Sequence, residues 1–310
     1  MKRFKKILFY VDGMECPMPS LRRALDLAET NQAQLTLIDV IEPVDTPAQV
    51  KNRFKLEFTD LLLQQRQQAL EKLCTELDQE ARVSYHKVLI GVPFVEIIKL
   101  IQQDHYDLLM KVANLPNGIN ERLFGGTDLH LFRKCPCPVL IDRPDSPRSY
   151  QNILAAVDTT ATDNSGCDTL VMDLATSLAR REDALLDVIH AWEFPGESAL
   201  VGSSQFNLTA SEVNIMKKYE IETQEKNLNK LLQNYDLSTE HNHVHLIKGN
   251  ATESINKVAS SIETDIIVMG TLGRTGIPGF FMGSTAEEVL QSTKASVLAV
   301  KPPGFISPVQ

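Results

Sequence analysis

Gly270, Gly273 and Gly283, with Ser284 and Thr285 behind them, are the residues whose types and spacing could do chemistry. Glycines free of Cβ let a main chain approach a ligand closely, and a helix that starts beside them offers unpaired N–H groups and the positive end of its dipole. That combination suits phosphate. The apolar run Asp265 to Met269 before the loop reads as a buried strand, and Ser284-Thr285-Ala286-Glu287 after it reads as a capping box that opens a helix. The plainer account is a loop that needs positive φ angles and holds nothing. Ser284 and Thr285 also suit helix capping, which is compatible with phosphate binding because a ligand oxygen can accept the remaining first-turn N–H groups. Arg274 could reach a phosphate or stay solvated.

The loop does not end in Gly-Lys-Ser/Thr, so it is not a Walker A loop, and no lysine is placed by sequence to stabilise a departing γ-phosphate. Nor does any motif for nucleophilic catalysis, a metalloprotease or a dinucleotide oxidoreductase appear. A binding protein is expected, with slow hydrolysis of a bound phosphate compound as the most that catalysis would amount to.

The elements that must position the loop occur twice, which marks an internal repeat. Lys6 to Asp12 and Asn152 to Asp158 are both apolar strands that end in an aspartate. Each is followed by a helix, a second strand (Gln34 to Val40; Ala184 to Trp192) and a long helix (about Pro47 to Leu77; about Thr209 to Gln233). A third strand (Ser84 to Leu89; Val244 to Ile247), a helix, a fourth strand (Leu108 to Val112; Ile266 to Met269), a short helix and a fifth strand (Pro138 to Asp142; Ser296 to Val300) complete each half. Strands alternating with helices predict an α/β fold of two tandem doubly wound sandwiches. Each is a five-stranded parallel sheet, order 3-2-1-4-5, with helices on both faces and ligand space above the strand C-termini. The boundaries read as 1–143 for the first domain, 144–150 for a linker rich in Pro, Ser and charge, and 151–303 for the second.

These strands and loops resemble the universal stress protein family, in its tandem two-domain form, over essentially the full length. The family's nucleotide motif is glycine, two residues, glycine, nine residues, glycine, then Ser or Thr. Gly270, Gly273, Gly283 and Ser284 meet it without a gap. The resemblance implies ATP as ligand, with Mg2+ on its phosphates, and adenine lodged between the ends of the first, second and fourth strands. Carried onto this chain, it implies Ala156, Val157 and Asp158 after the first strand, Ala191 after the second, and Met269 with the loop. Phe132 to Leu140 and Met110-Lys111-Val112-Ala113 look like the first half of such tandem proteins. That half departs from the motif: Val112 falls where Gly270 sits and Leu115 where Gly273 sits, with Gly126-Thr127 set against Gly283-Ser284. One nucleotide site per chain follows, in the second half, while the first half's branched side chains favour something apolar over a nucleotide. The resemblance further implies a stress-response factor that senses or sequesters ATP and acts through conformation or a partner. Its rival is a stress interaction protein that binds no nucleotide. The halves are expected to pair through their fifth strands as an intramolecular pseudo-dimer, and two chains could pair again as a homodimer.

Asp158 reads as an acceptor for base or ribose in preference to a turn-former before Thr159-Thr160, whereas Asp12, without the glycines, reads as structural. His241, His243 and His245 alternate onto one strand face; a solvated edge strand explains them better than zinc does. Cys135-Pro136-Cys137 reads as an extended entry into a strand, and His190-Ala191-Trp192 as strand packing.

Composition sets the outer limits. The 310 residues are 43% apolar and 23% charged, enough for two ordinary cores. Residues 1 to 150 hold 20 Lys+Arg and 20 Asp+Glu, and the rest hold 11 and 20, so the net charge of −9 lies wholly in the second half. Without a basic stripe interleaved with aromatics, nucleic acid is not an expected partner. No apolar run of about 18 residues suggests a membrane span, and five scattered cysteines suggest reduced thiols; a cytoplasmic address is the expectation.

Overall fold

A computed structural model describes residues 4–13, 18–77, 83–113, 124–160, 166–194, 196, 209–237, 242–271 and 282–310. Gly273, Arg274, Leu115, His241 and Cys16 lie outside the described residues. The first half runs β1 (Lys6–Tyr10), α1 (Met18–Asn31), β2 (Gln34–Ile41), α2 (Ala48–Phe54), α3 (Phe58–Leu77), β3 (Val83–Ile90), α4 (Pro93–Asp104), β4 (Leu108–Val112), α5 (Gly126–Lys134) and β5 (Val139–Asp142). The second runs β6 (Asn152–Ala156), α6 (Cys167–Glu182), β7 (Leu185–Trp192), α7 (Ala210–Leu232), β8 (Asn242–Lys248), α8 (Ala251–Ser261), β9 (Ile266–Gly270), α9 (Ser284–Ser292) and β10 (Ser296–Val300). The helix expected over Pro47 to Leu77 is two helices, because Lys55 takes a left-handed conformation (φ 54°) that ends α2. Its counterpart α7 is continuous and starts at a reciprocal cap between Thr209 and Glu212.

Within each half the strands are parallel and ordered as expected, β3-β2-β1-β4-β5 and β8-β7-β6-β9-β10. The two sheets are not separate. β5 and β10 pair antiparallel, with Leu140 opposite Leu298, and fuse the halves into one ten-stranded sheet. The same sequence offset that relates Leu140 to Leu298 relates Val112 to Gly270 and the helix N-caps Gly125 and Gly283. Because that pairing is antiparallel, the strand C-termini of the two halves, and the crevices above them, face opposite edges of the sheet.

Each face carries one apolar core that crosses both halves. Helices α1, α3, α6 and α7 cover one face through Leu21, Leu70, Val171 and Leu228. Helices α4, α5, α8 and α9 cover the other through Ile97, Leu131, Ile255 and Val289. Strands buried on both sides explain the near-continuous aliphatic runs of β1, β4, β6 and β9.

The segment 144–150 is pinned rather than slack. Arg23 of α1, buried, bonds Asp142 Oδ2 at 3.2 Å, the Arg148 carbonyl at 3.1 Å and the Pro147 carbonyl at 2.5 Å, and stacks over the Tyr150 ring. Asp142 also accepts from the Tyr150 and Ser296 hydroxyls, each at 2.9 Å, so one buried carboxylate joins this segment to both halves.

Candidate functional site

The second-half site is built where β6 and β9 lie side by side and the chain leaves them in opposite directions, which is the switch point of a doubly wound sheet. β9 ends at Gly270, and Thr271 then turns inward, fully buried, with its N–H on the Val300 carbonyl at 3.1 Å. The far end of the loop returns to the same point: Gly283 N–H donates to the Thr271 carbonyl at 2.9 Å, and α9 starts one residue later. Gly270 and Gly283 therefore stand at the two feet of one loop, on the N-terminus of a helix.

Several readings need correction here. Ser284 is the first helical residue and Gly283 the N-cap, with no side-chain cap, so the expected Ser284–Glu287 capping box does not form. Glu287 instead takes the Arg133 guanidinium of α5. Among Gly270 and Gly283 neither has a positive φ, which removes the plain explanation of a strained loop at those two positions. Gly270 has another structural reason to lack a side chain, since a Cβ there would stand 2.8 Å from Cys167 Sγ at the start of α6. Asp158 holds a turn through one carboxylate oxygen, which does not decide its ligand role: Oδ1 accepts from Thr160 N–H at 3.2 Å and Thr160 Oγ1 at 2.6 Å, and its own N–H donates to Asp168 Oδ1 at 3.0 Å. Ala191 lies inside β7, not after it. Ala156, Ala191, Gly270 and Thr285 are partly exposed, Ser284 is exposed, and Val157 and Met269 are buried.

Lys301 was not legible as a loop residue, being thirty positions away in sequence. β10 places it beside β9, where its ammonium, 6% exposed, donates to Thr271 Oγ1 and to the Phe132 carbonyl of α5 at 2.6 Å. Burial pulls its pKa down from the usual 10.5 to about 8. Lys301 and Arg133 thus tie the loop's base and the first turn of α9 to the other half.

His190 is a core residue, as expected of strand packing. Its Nδ1 lies 3.1 Å from the Val157 carbonyl and its Nε2 3.0 Å from Gln224 Oε1. Of the alternating histidines, His245 pairs with the buried Asp187 at 2.6 Å and His243 is exposed on the edge strand β8. Among the described residues no group of three or more His, Cys, Asp or Glu could hold a metal ion. Cys135 and Cys137 are buried with sulfurs 3.6 Å apart, and the hydrogen bond with Cys135, then burial, push the Cys137 thiol well above its usual range.

The first half's loop starts and ends at the same places, but its N-cap is Gly125, so Gly125 and not Gly126 corresponds to Gly283. Gly126 and Thr127 correspond to Ser284 and Thr285. Val112 holds the place of Gly270, as read from the sequence. The residue before it, Lys111, is wholly buried and contacts Asp12 and Asp128. No helix among the described residues is long and apolar enough to cross a membrane.

Comparison with known proteins places this geometry. The family model described as "Universal stress protein family" matches twice, over residues 3–143 and 149–301. Universal stress protein E of Photorhabdus laumondii is 24% identical, with all of this chain and 99% of the relative aligned. Universal stress protein E of Escherichia coli K12 is also 24% identical, over all of this chain and 98% of the relative. Among solved structures, a protein of unknown function from Pseudomonas aeruginosa PAO1 superposes with a TM-score of 0.72 at 24% identity, covering 97% of this chain and 94% of its own. A universal stress protein from Archaeoglobus fulgidus superposes at 0.60, with 18% identity, over 95% and 98%. Two family matches that together span nearly the whole chain, and relatives aligned over their full length, lead to one conclusion: the chain belongs to the universal stress protein family, as a member with two such units in tandem.

Proposed function

We propose that the second half binds ATP with Mg2+ and that the protein is a cytoplasmic stress-response factor whose output is conformational or through a partner, not a catalyst. The observation that carries this reading is the placement of the motif glycines Gly270 and Gly283 at the two feet of a loop pinned shut at Thr271, on a helix N-terminus that no side chain caps. First-turn N–H groups and the dipole of α9 favour an anion there. Gly270, Gly273, Gly283, Ser284, Thr285 and Arg274 would hold the phosphates, and Ala156, Val157, Asp158, Ala191 and Met269 would border the base and ribose. The ligand supplies a polyanion whose charge Mg2+ partly neutralises, and the Lys301 ammonium beneath the loop is directed at protein oxygens and not at a γ-phosphate.

Two observations favour the rival reading, a stress protein that interacts through its surfaces alone: Asp158 is engaged in its own turn, and a side chain at Gly270 would crowd Cys167. Isothermal calorimetry with MgATP separates the two. The nucleotide reading expects one equivalent per chain, lost in Gly283→Val without loss of the folded state. Silence at millimolar nucleotide, or two equivalent sites, refutes it.

A further inference from the structure

Lys111 sits on β4 with its side chain fully out of water, and its ammonium meets oxygen on three sides. Asp12 Oδ2, past the end of β1, is 2.8 Å away. Asp128 Oδ1, in the first turn of α5, is 2.9 Å away, and the Val112 carbonyl accepts at 2.7 Å. The other oxygen of Asp128 accepts from the N-cap amide of Gly125 at 3.0 Å, which fixes the carboxylate on the helix start. β1 and β4 are neighbours that the chain leaves in opposite directions, so this buried ammonium lies at the first half's switch point.

The second half shows what the same frame looks like without it. Register pairs Tyr10 with Lys111 and Ala156 with Met269, so Lys111 and Met269 are equivalent. Asp128 and Ala286 are equivalent as the third residues of α5 and α9. The aspartate at the end of the first strand is kept as Asp158, while the ammonium and its second counter-ion are replaced together by apolar residues. Burial favours that joint replacement, because Asp128 without the ammonium would be an uncompensated buried charge.

The geometry points to the Asp12–Lys111–Asp128 triad as a built-in occupant that closes the first half's crevice to nucleotides. The ammonium donates to the Val112 carbonyl and stands at ion-pair distance from both carboxylates, so its charge is already answered within the protein and is not offered to a phosphate. Two carboxylates against one ammonium also leave a negative centre on the helix start, which opposes a polyanion. Loss of the loop glycines is then secondary. This inference concerns the first half alone and stands or falls independently of nucleotide binding by the second.

The test uses the full chain carrying Gly283→Val, so that any bound nucleotide belongs to the first half, with native mass spectrometry and calorimetry in MgATP. Adding Val112→Gly alone should bind none. Adding Lys111→Met, Val112→Gly and Asp128→Ala together, which installs the second half's residues at those three positions, should bind one. A nucleotide in the Val112→Gly protein, or none in the combined variant with a cooperative melt, overturns the inference. Wild type binding none while the combined variant binds one sinks the second-half site and leaves this inference standing. Should the combined variant fail to fold, acylation of native wild-type lysines decides: Lys111 is expected to be protected until the protein unfolds, and labelling at the rate of surface lysines overturns its role as a closed plug.

Discussion

Raising the pH should stabilise this protein through Lys301, against the usual trend for a lysine. The ammonium is 6% exposed, and its partners are two neutral oxygens, Thr271 Oγ1 and the Phe132 carbonyl, rather than a carboxylate. Burial therefore dominates and lowers the pKa from 10.5 to about 8. Below about pH 8 both native and unfolded chains carry the proton, and the full cost of burying the charge is present. Between about 8 and 10.5 the unfolded chain keeps a proton that the native one has released. The unfolded state then binds more protons, so unfolding free energy rises with pH across that window and levels off above it. At about 1.4 kcal/mol per pKa unit, the gain is on the order of 3 kcal/mol. The assay is urea unfolding followed by circular dichroism from about pH 7 to 10.5, comparing wild type with Lys301→Met, whose side chain has similar length and does not titrate. Cys167, pushed up to about 12 by burial, titrates in both proteins and cancels in the difference to first order. Wild type should gain about 3 kcal/mol on the variant over that range. A pH-independent difference, or one of opposite sign, refutes the assignment of Lys301 as a buried, proton-losing contact under the loop.

Three further outcomes are expected. Arg23→Met removes the guanidinium from Asp142, both 2% exposed, and should cost about 3–5 kcal/mol in chemical denaturation because the carboxylate stays buried with only two hydroxyl donors. Gly270→Ala should destabilise by about 1–3 kcal/mol through the clash with Cys167, and a Cys167→Ala background should recover much of that; additive effects in the double-mutant cycle would exclude the contact. Thr209→Ala, which removes the reciprocal cap of α7, should cost about 1 kcal/mol in a thermal melt, and no change would show that the helix start contributes nothing to the folded state.

The repeat, the strand order and the glycine spacing were written in local pattern. Aliphatic runs flanked by helical periodicity define parallel strands buried on both faces, and that arithmetic is the same in both halves. The feet of the loop were legible for the same reason, because Gly270 follows β9 directly and Gly283 adjoins α9 directly. What local pattern could not supply was the partner of each polar group. Asp158 accepts from donors of its own turn, a pairing that only the fold displays. Gly270 faces Cys167 and Thr271 faces Lys301, contacts made by chain segments far apart in sequence. Lys111 meets Asp12 and Asp128, which come to it from two other elements. Periodicity is a property of neighbours along the chain and so is carried by sequence alone. Charge compensation in the interior depends on distances across the chain, and those exist only once β5 has met β10 and the strands have taken their places.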